Sequence, residues 1–595
     1  MKVLVLALVL FLFLSVLLVF TLTPEPLGAA RSSVVQLDNL RVHNLNTSKG
    51  YTTIQEAINA PETLDGHKIS VASGTYDERV TVNETLSLIG EERSTAIIDG
   101  NGAGTVVYVA ANNVEIRNFI IRNGTFGLWL DNSQNSKIVG NTLENGSYGI
   151  RLLHSANAEV ADNIVHKYSS FGVQLDSSGH STLRNNILDE NRYNFGVDGT
   201  SLSDFVNDID TTNMVKGKPI RYLVNQHDVT IDSSFPEFGY LALVNSTNVK
   251  VQNLNVQDNI QGILLAFTAN STISNVNAKK NWNGIYIAHS RNISATGNNA
   301  NTNFDYGIKF FNSSHSLARE NNVDNNGWGG IGLFGSPNST VDNNEASFNT
   351  YNLHIVFTNN SVITRNNAQG KSGGYSIAVY YSHNNSIYHN SFSNSLLYVE
   401  TRNYTRFTPR NSWDNGLEGN YWNSYKGVDL DQDGIRDSPY SVGENNVDKC
   451  PLMGKFSDFT VSLDGKTYSI TVVSNSTISE FQFNPEDGKA SLMAAGFNGT
   501  MGFSRFAVPN ALLQHLQGGN LTFLINGEQP LLKRKWADET RNYWYFSYVN
   551  NVPESAMSPW FFVAVASTLL IVSALVFVVL KKKHRLGLEQ PHKKG

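Results

Sequence analysis

A chain of 595 residues with a net charge of −6 and one cysteine, Cys450, can build neither an internal disulfide framework nor a cysteine-based metal cluster. Charged residues make up 16% of it, against roughly 25% in ordinary soluble domains, and the charge balance gives no sign of a nucleic-acid partner. The length predicts several domains, of which one repetitive domain can use most of the chain.

In chain order, Lys2 precedes an apolar run over 3–20, followed by Gly28, Ala29 and Ala30, which reads as a secretory signal peptide or N-terminal anchor over 1–30. Ile54, Ala57 and Ile58 share one helical face, as expected of a short helix covering the open end of a repetitive domain over 34–415. Short strands follow at 69–72, 80–82, 86–89 and 96–98, each closed by Gly, Asn or Asp.

One phrase then recurs every 22 to 24 residues or so. It stands at Gly127-Leu-Trp-Leu, Gly149-Ile-Arg-Leu and Gly172-Val-Gln-Leu, and again from Gly262-Ile-Leu-Leu through Gly284, Gly307, Gly330 and Asn352 to Ser376. Asparagines between the phrases (Asn163, Asn186, Asn321, Asn343, Asn366) suit corners with left-handed backbone and amide ladders from coil to coil. A leucine-rich horseshoe would need a Leu-x-x-Leu-x-Leu phrase, which is missing. The pattern predicts an all-β fold: a right-handed parallel β-helix solenoid of about 14 to 15 coils. Between 195 and 250 the phrase lapses, and the spacing of nearly three periods reads as coils with longer turns.

Val71-Ala-Ser-Gly-Thr-Tyr and Leu88-Ile-Gly resemble the opening of pectin-lyase-like β-helices. Gly217-Lys-Pro-Ile-Arg-Tyr-Leu-Val-Asn and Gly239-Tyr-Leu-Ala-Leu-Val-Asn-Ser-Thr extend the resemblance to the NosD-like group, over residues 50–455. That resemblance implies a surface protein, as many archaeal members are. It also raises a copper-site maturation role, since the name-giving members assist nitrous oxide reductase. Soft copper(I) prefers Cys and Met, which are scarce here, so copper is disfavoured.

An aromatic cap and Asp-rich loop occupy 416–454. Gly419-Asn-Tyr-Trp leads to Asp429, Asp431, Asp433, Ile435 and Asp437, spaced as the first, third, fifth, seventh and ninth positions of an EF-type loop, with Gly434 for the turn. Tyr440 stands where the bidentate Glu of a full EF-hand would be, so a structural calcium site without that ligand is expected. The same paired phrase recurs at the end of NosD-like β-helices. Longer alternating strands over 455–550 predict a β-sandwich spacer. The apolar run over 559–580 is long enough for a C-terminal transmembrane helix, and the basic tail over 581–595 marks its cytoplasmic side. About fifteen Asn-x-Ser/Thr sequons, Asn83 and Asn245 among them, agree with an extracytoplasmic glycoprotein.

Outward residues in successive coils should form ladders about 4.8 Å apart. Trp129, Arg151 and Gln174 make one such ladder, with Asp131 and Asp176 two coils apart as acid and base candidates on a glycosidic bond. Tyr286, Lys309 and His354 make a second, with His289 at a nearby turn, and a Lys–His pair suits a lyase. The reading is a membrane-anchored surface protein whose solenoid binds polysaccharide, envelope glycans or neighbouring surface proteins without catalysis. A polysaccharide lyase or glycoside hydrolase, and a NosD-like maturation factor, are the alternatives.

Overall fold

The computed structural model describes residues 40–393, 396–399, 410–516 and 521–550. The expected leader over 1–30, apolar span over 559–580 and tail over 581–595 lie outside the described residues. Among the described residues no helix is long and apolar enough to cross a membrane.

The repeated phrase forms strands because its aliphatic side chains alternate with polar ones, and period two sends the aliphatics to one face. Leu128, Ile150 and Val173 stack in register, as do Leu130, Leu152 and Leu175, all buried in the bore. Burying each contributes roughly 1.5–3 kcal/mol. Asparagine chemistry at the corners is divided between neighbours. Asn343 takes the left-handed conformation (φ 53°), while Asn344 is buried and its Nδ2 donates to Asn366 Oδ1 at 2.8 Å. Similar bonds run through Asn298, Asn321, Asn344, Asn366, Asn390 and Asn420. At the N-terminal end the helix Ile54–Asn59 starts in a Thr53/Glu56 capping box and buries Ile54, Ala57 and Ile58 over the first coil.

The solenoid of about 15 turns is not one continuous run. After the strand Tyr193–Asp198, the short strand Met214–Val215 turns through Lys216 and Gly217 (φ 49° and 72°) and pairs antiparallel with the start of Lys218–Val224. Parallel stacking then resumes through Tyr240–Val244, Gln261–Ala266, Asn283–Ala288 and onward. The coils expected over 195–250 therefore include a reversal that separates two stacks.

The end of the first stack packs on the outward face of the second. Ile260 N donates to Phe195 O at 2.9 Å, and the Gln261 side chain accepts from Val197 N and donates to Val197 O. Phe205, on the helix Leu202–Phe205, meets Phe267 and His289 at 6.0 and 6.3 Å between centroids. As a result Ala242, Leu264 and Tyr286, outward residues of the second stack, share an apolar core with Phe195 and Val197.

Trp413 and Trp422 are buried at the end of the second stack. Strands within 455–509 and 522–549 form a five-stranded and a three-stranded sheet with one apolar core between them. They are held to the solenoid by Arg365, whose Nη1 lies 2.7 Å from Asp458, and by the Phe456 ring stacked 3.8 Å from His389.

Candidate functional site

The first predicted ladder is present in register: Trp129 faces Arg151, and Arg151 faces Gln174. The Arg151 guanidinium sits 5.2 Å from the Trp129 ring centroid and 3.5 Å from Asp176 Oδ2. Asp131 accepts from Tyr108 Oη at 2.9 Å. Asp131 and Asp176 are two coils apart, with Leu153 between them, and Asp198 follows in the next coil.

In the second ladder Tyr286 pairs with Lys309, while Gly332 separates Lys309 from His354. It is not an open polar face. Tyr286 is 4% exposed, and its hydroxyl donates to Asp198 Oδ1 at 3.3 Å. His354 lies among Tyr351, Phe334 and Tyr306, with Tyr306 Oη 2.6 Å from its Nδ1. Burial first, and then the Lys309 charge, push His354 down to about 4. The Lys–His pair expected for a lyase is thus one accessible ammonium and one buried imidazole.

What the two ladders build together is a cleft of about 190 Å³ at the junction of the stacks, lined by Phe171, Gln174 and Asp198 from the first and by Trp282, Asp305 and Lys309 from the second. Lys309 Nζ is 3.8 Å from Asp305 Oδ2 and lies over the Tyr286 and Tyr306 rings. Burial raises the Asp198 carboxyl, opposed by the Gly199 N–H and Lys309. Burial likewise raises Asp305, opposed by Lys309 and Asn283. Phe171 and Trp282 belong to an aromatic row that runs past the cleft: Phe126, Tyr148, Phe171, Trp282 and Phe304 follow one another at 4.5, 5.3, 4.9 and 4.3 Å between centroids. Two carboxyls inclined to hold a proton, one ammonium and flat aromatic surface suit hydrogen bonding and stacking on a sugar.

Sequence reasoning did not single out Asp198, Asp305, Phe171 or Trp282. The signals were the aromatic residue before the phrase glycine, as in Phe126-Gly127, Tyr148-Gly149 and Phe171-Gly172, and an Asp at the strand position of Asp176. Larger grooves carry less chemistry. In the groove between the second stack and the C-terminal sheets, Arg319 and Arg365 are already matched by Asp342 and Asp458. Another runs over turn residues such as Asn101, Asn123 and Asn145.

In the acidic loop, oxygens of Asp429, Asp431 and Asp433 lie within 4.8 Å of one another. Burial, opposed by the N–H groups of Gly434 and Asp433, raises Asp429 to about 6. Asp431 is paired with Arg534 at 2.8 Å, and Asp437 Oδ2 accepts from Leu430 N, outside that trio.

Comparison with known proteins follows the same division of the chain. Residues 222–427 match the family described as periplasmic copper-binding protein (NosD), and residues 91–235 match the right-handed beta helix region. A cell surface glycoprotein of Methanothermus fervidus is 41% identical over 104 residues, a match spanning 17% of this chain and 17% of that protein. Among solved structures, the A-module of an Azotobacter vinelandii mannuronan C-5 epimerase is 14% identical, covering 60% of this chain and 92% of that one, with a TM-score of 0.24. A Yersinia enterocolitica family 28 exopolygalacturonase is 11% identical over 60% of this chain and 76% of that one, also at 0.24. The repeat, the two bores and the family matches agree: this is a right-handed β-helix protein, NosD-like over residues 222–427.

Proposed function

We propose that this chain is an extracytoplasmic cell-surface protein, anchored through residues 559–580, whose β-helix binds a glycan in the cleft between its two stacks. One observation carries the reading: Asp198, Asp305 and Lys309 converge beside Phe171 and Trp282 although they come from separate stacks. These two rings offer a sugar face its apolar contact, the carboxyls exchange hydrogen bonds with hydroxyls, and Lys309 favours an acidic sugar. The surface relative named above supports the location, and the C-terminal sheets serve as a membrane-proximal spacer. Titrating the protein with acidic and neutral polysaccharides tests it. Trp282→Ala should weaken binding about tenfold, the equivalent of about 1.4 kcal/mol, and Lys309→Met should weaken acidic ligands selectively. Binding that ignores both substitutions, or no binding at all, removes the cleft from consideration.

A polysaccharide-cleaving activity is the second reading, favoured by the two raised carboxyls. A carboxyl whose pKa burial raises suits a general acid, and a second carboxyl beside it can serve as base once ionised. Under this reading Asp198→Asn abolishes product formation while leaving binding in place.

Calcium at Asp429, Asp431 and Asp433, with the Ile435 carbonyl and Asp437 as further candidate donors, is the third part of the proposal. The donor set is all oxygen, which suits a hard cation and not copper. The metal would neutralise carboxylates that burial leaves costly and would brace the end of the solenoid. Calcium at a hundred times its dissociation constant should add about 2.7 kcal/mol of stability. Asp431→Ala should abolish that response in thermal melts, and the absence of calorimetric binding at millimolar calcium would reduce the loop to an acidic turn.

A further inference from the structure

Each coil of the second stack has a turn between its phrase strand and the following strand, and every one of seven consecutive turns carries an Asn-x-Ser/Thr sequon. The acceptors are Asn245, Asn270, Asn292, Asn312, Asn338, Asn359 and Asn384. Successive turns are joined coil to coil, for example by Thr247 with Ala269 and Arg291 with Ser314, so the sequons form one line along one edge. The other two turns of these coils are as rich in asparagine, at Asn275, Asn298, Asn303, Asn326, Asn343 and Asn366, yet none of those begins a sequon.

Fold requirements explain half of this pattern. All acceptors but Asn359 are exposed with φ between 48° and 57°, a left-handed corner that asparagine tolerates well. At five of the seven sequons the hydroxyl two residues later is what the fold leaves unexplained, while Ser294 is bonded to Thr296 and the buried Ser361 to Ser339 N and Asn359 O. Among the described residues, Thr247, Thr272, Ser314, Thr340 and Ser386 make no side-chain hydrogen bond, whereas the buried hydroxyls of the same turns, such as Ser290, Ser313 and Ser336, are bonded from coil to coil. The unbonded hydroxyls are the ones a glycan acceptor needs.

We propose that this edge is an array of N-glycan acceptors running along the second stack, which leaves the junction cleft open and the turn facing the C-terminal sheets bare. The transfer joins Asn Nδ2 to the anomeric carbon of a lipid-linked glycosyl phosphate. The bond from that carbon to the phosphate oxygen breaks, the lipid phosphate leaves with the electron pair, and one amide proton passes to a base of the transferase. The modified amide keeps one N–H, so Asn292 can still donate to Asn270 Oδ1, now at 2.8 Å. Coils about 4.8 Å apart crowd neighbouring sugars, so about half of the seven sites should be filled.

The inference rests on the extracytoplasmic reading, and the experiment separates the two. Glycopeptide mass spectrometry is run on the full chain from its native membranes, with protease shaving of intact cells in parallel. The expected result is shaving-released peptides carrying glycan at about half of the seven positions, and a Thr340→Val chain that folds normally but loses any mass at Asn338. Peptides released by shaving but bare at all seven positions overturn the array and leave the surface location standing. A chain that is neither shaved nor modified overturns both.

Discussion

The two stacks use the same strand phrase and meet opposite fates. In the first, the outward positions Trp129, Arg151 and Gln174 stay half-exposed and paired along the ladder. In the second, the equivalent positions Ala242, Leu264 and Tyr286 are covered by the end of the first stack, Lys309 alone is half-exposed, and Gly332, His354 and Ala378 beyond it are buried again. A β-helix strand is specified by its inward residues, so its outward ones are free to become either surface or interface. The composition records the choice: Trp, Arg and Gln where the face is open, Ala and Leu where it is closed.

The comparison breaks most visibly at the junction. Tyr240 is fully buried, meets Phe195 edge-on at 4.9 Å, and donates its hydroxyl to Gln261 Oε1 at 3.0 Å. Tyr240→Ala should cost about 3–5 kcal/mol by transfer and cavity. Trp129→Ala, on the open ladder, loses half-exposed ring contacts with Tyr108 and Phe126 and a cation–π contact with Arg151, about 1–2 kcal/mol. Chemical denaturation of the two variants measures the difference, and equal losses would mean that the junction is not a packed core.

Much of this was legible in advance, because a parallel stack keeps register. The phrase spacing alone pairs Trp129 with Arg151 and sets Lys309 two coils from His354. The reversal at Lys216-Gly217 was not legible, since a two-residue turn inside a stretch without the phrase looks like any other loop. It is this turn that brings Asp198 within hydrogen-bond reach of Tyr286, 88 residues away. The cleft therefore depends on a contact that no local periodicity encodes. Burial of His354 was hidden for a related reason: its cover is Tyr351 on its own strand together with Phe334 and Tyr306 from the two preceding coils.

That burial gives the second prediction. The folded state holds His354 neutral down to about 4, from an ordinary value of 6.5, so the unfolded chain binds the extra proton between those values. Its contribution to stability is complete above pH 6.5 and is lost as the pH falls toward 4, by at most about 3 kcal/mol. Asp198 and Asp305 have the opposite sign, since their raised carboxyls make the folded state the better proton binder above 3.8 and destabilise it as the pH rises. His354→Gln keeps a polar partner for Tyr306 and removes the imidazole. The difference between the melting profiles of parent and variant should slope between pH 4 and 6.5 and be flat above. A parallel pair of profiles would place His354 in contact with water.

The smallest effect belongs to the open ladder. Asp131 is half-buried, accepts from Tyr108 Oη at 2.9 Å and from Asn132 Nδ2 at 2.9 Å, and lies two coils from Asp176. Asp131→Asn retains one carbonyl oxygen for the tyrosine hydroxyl and removes a charge that solvent already screens, so stability should move by less than about 0.5 kcal/mol. The substitution separates the two ladders by function. If the glycan is held in the junction cleft, Asp131→Asn leaves polysaccharide affinity unchanged while Lys309→Met reduces it. If affinity falls in the first and holds in the second, the binding face is the open ladder of the first stack, and the junction is only the joint between two solenoids.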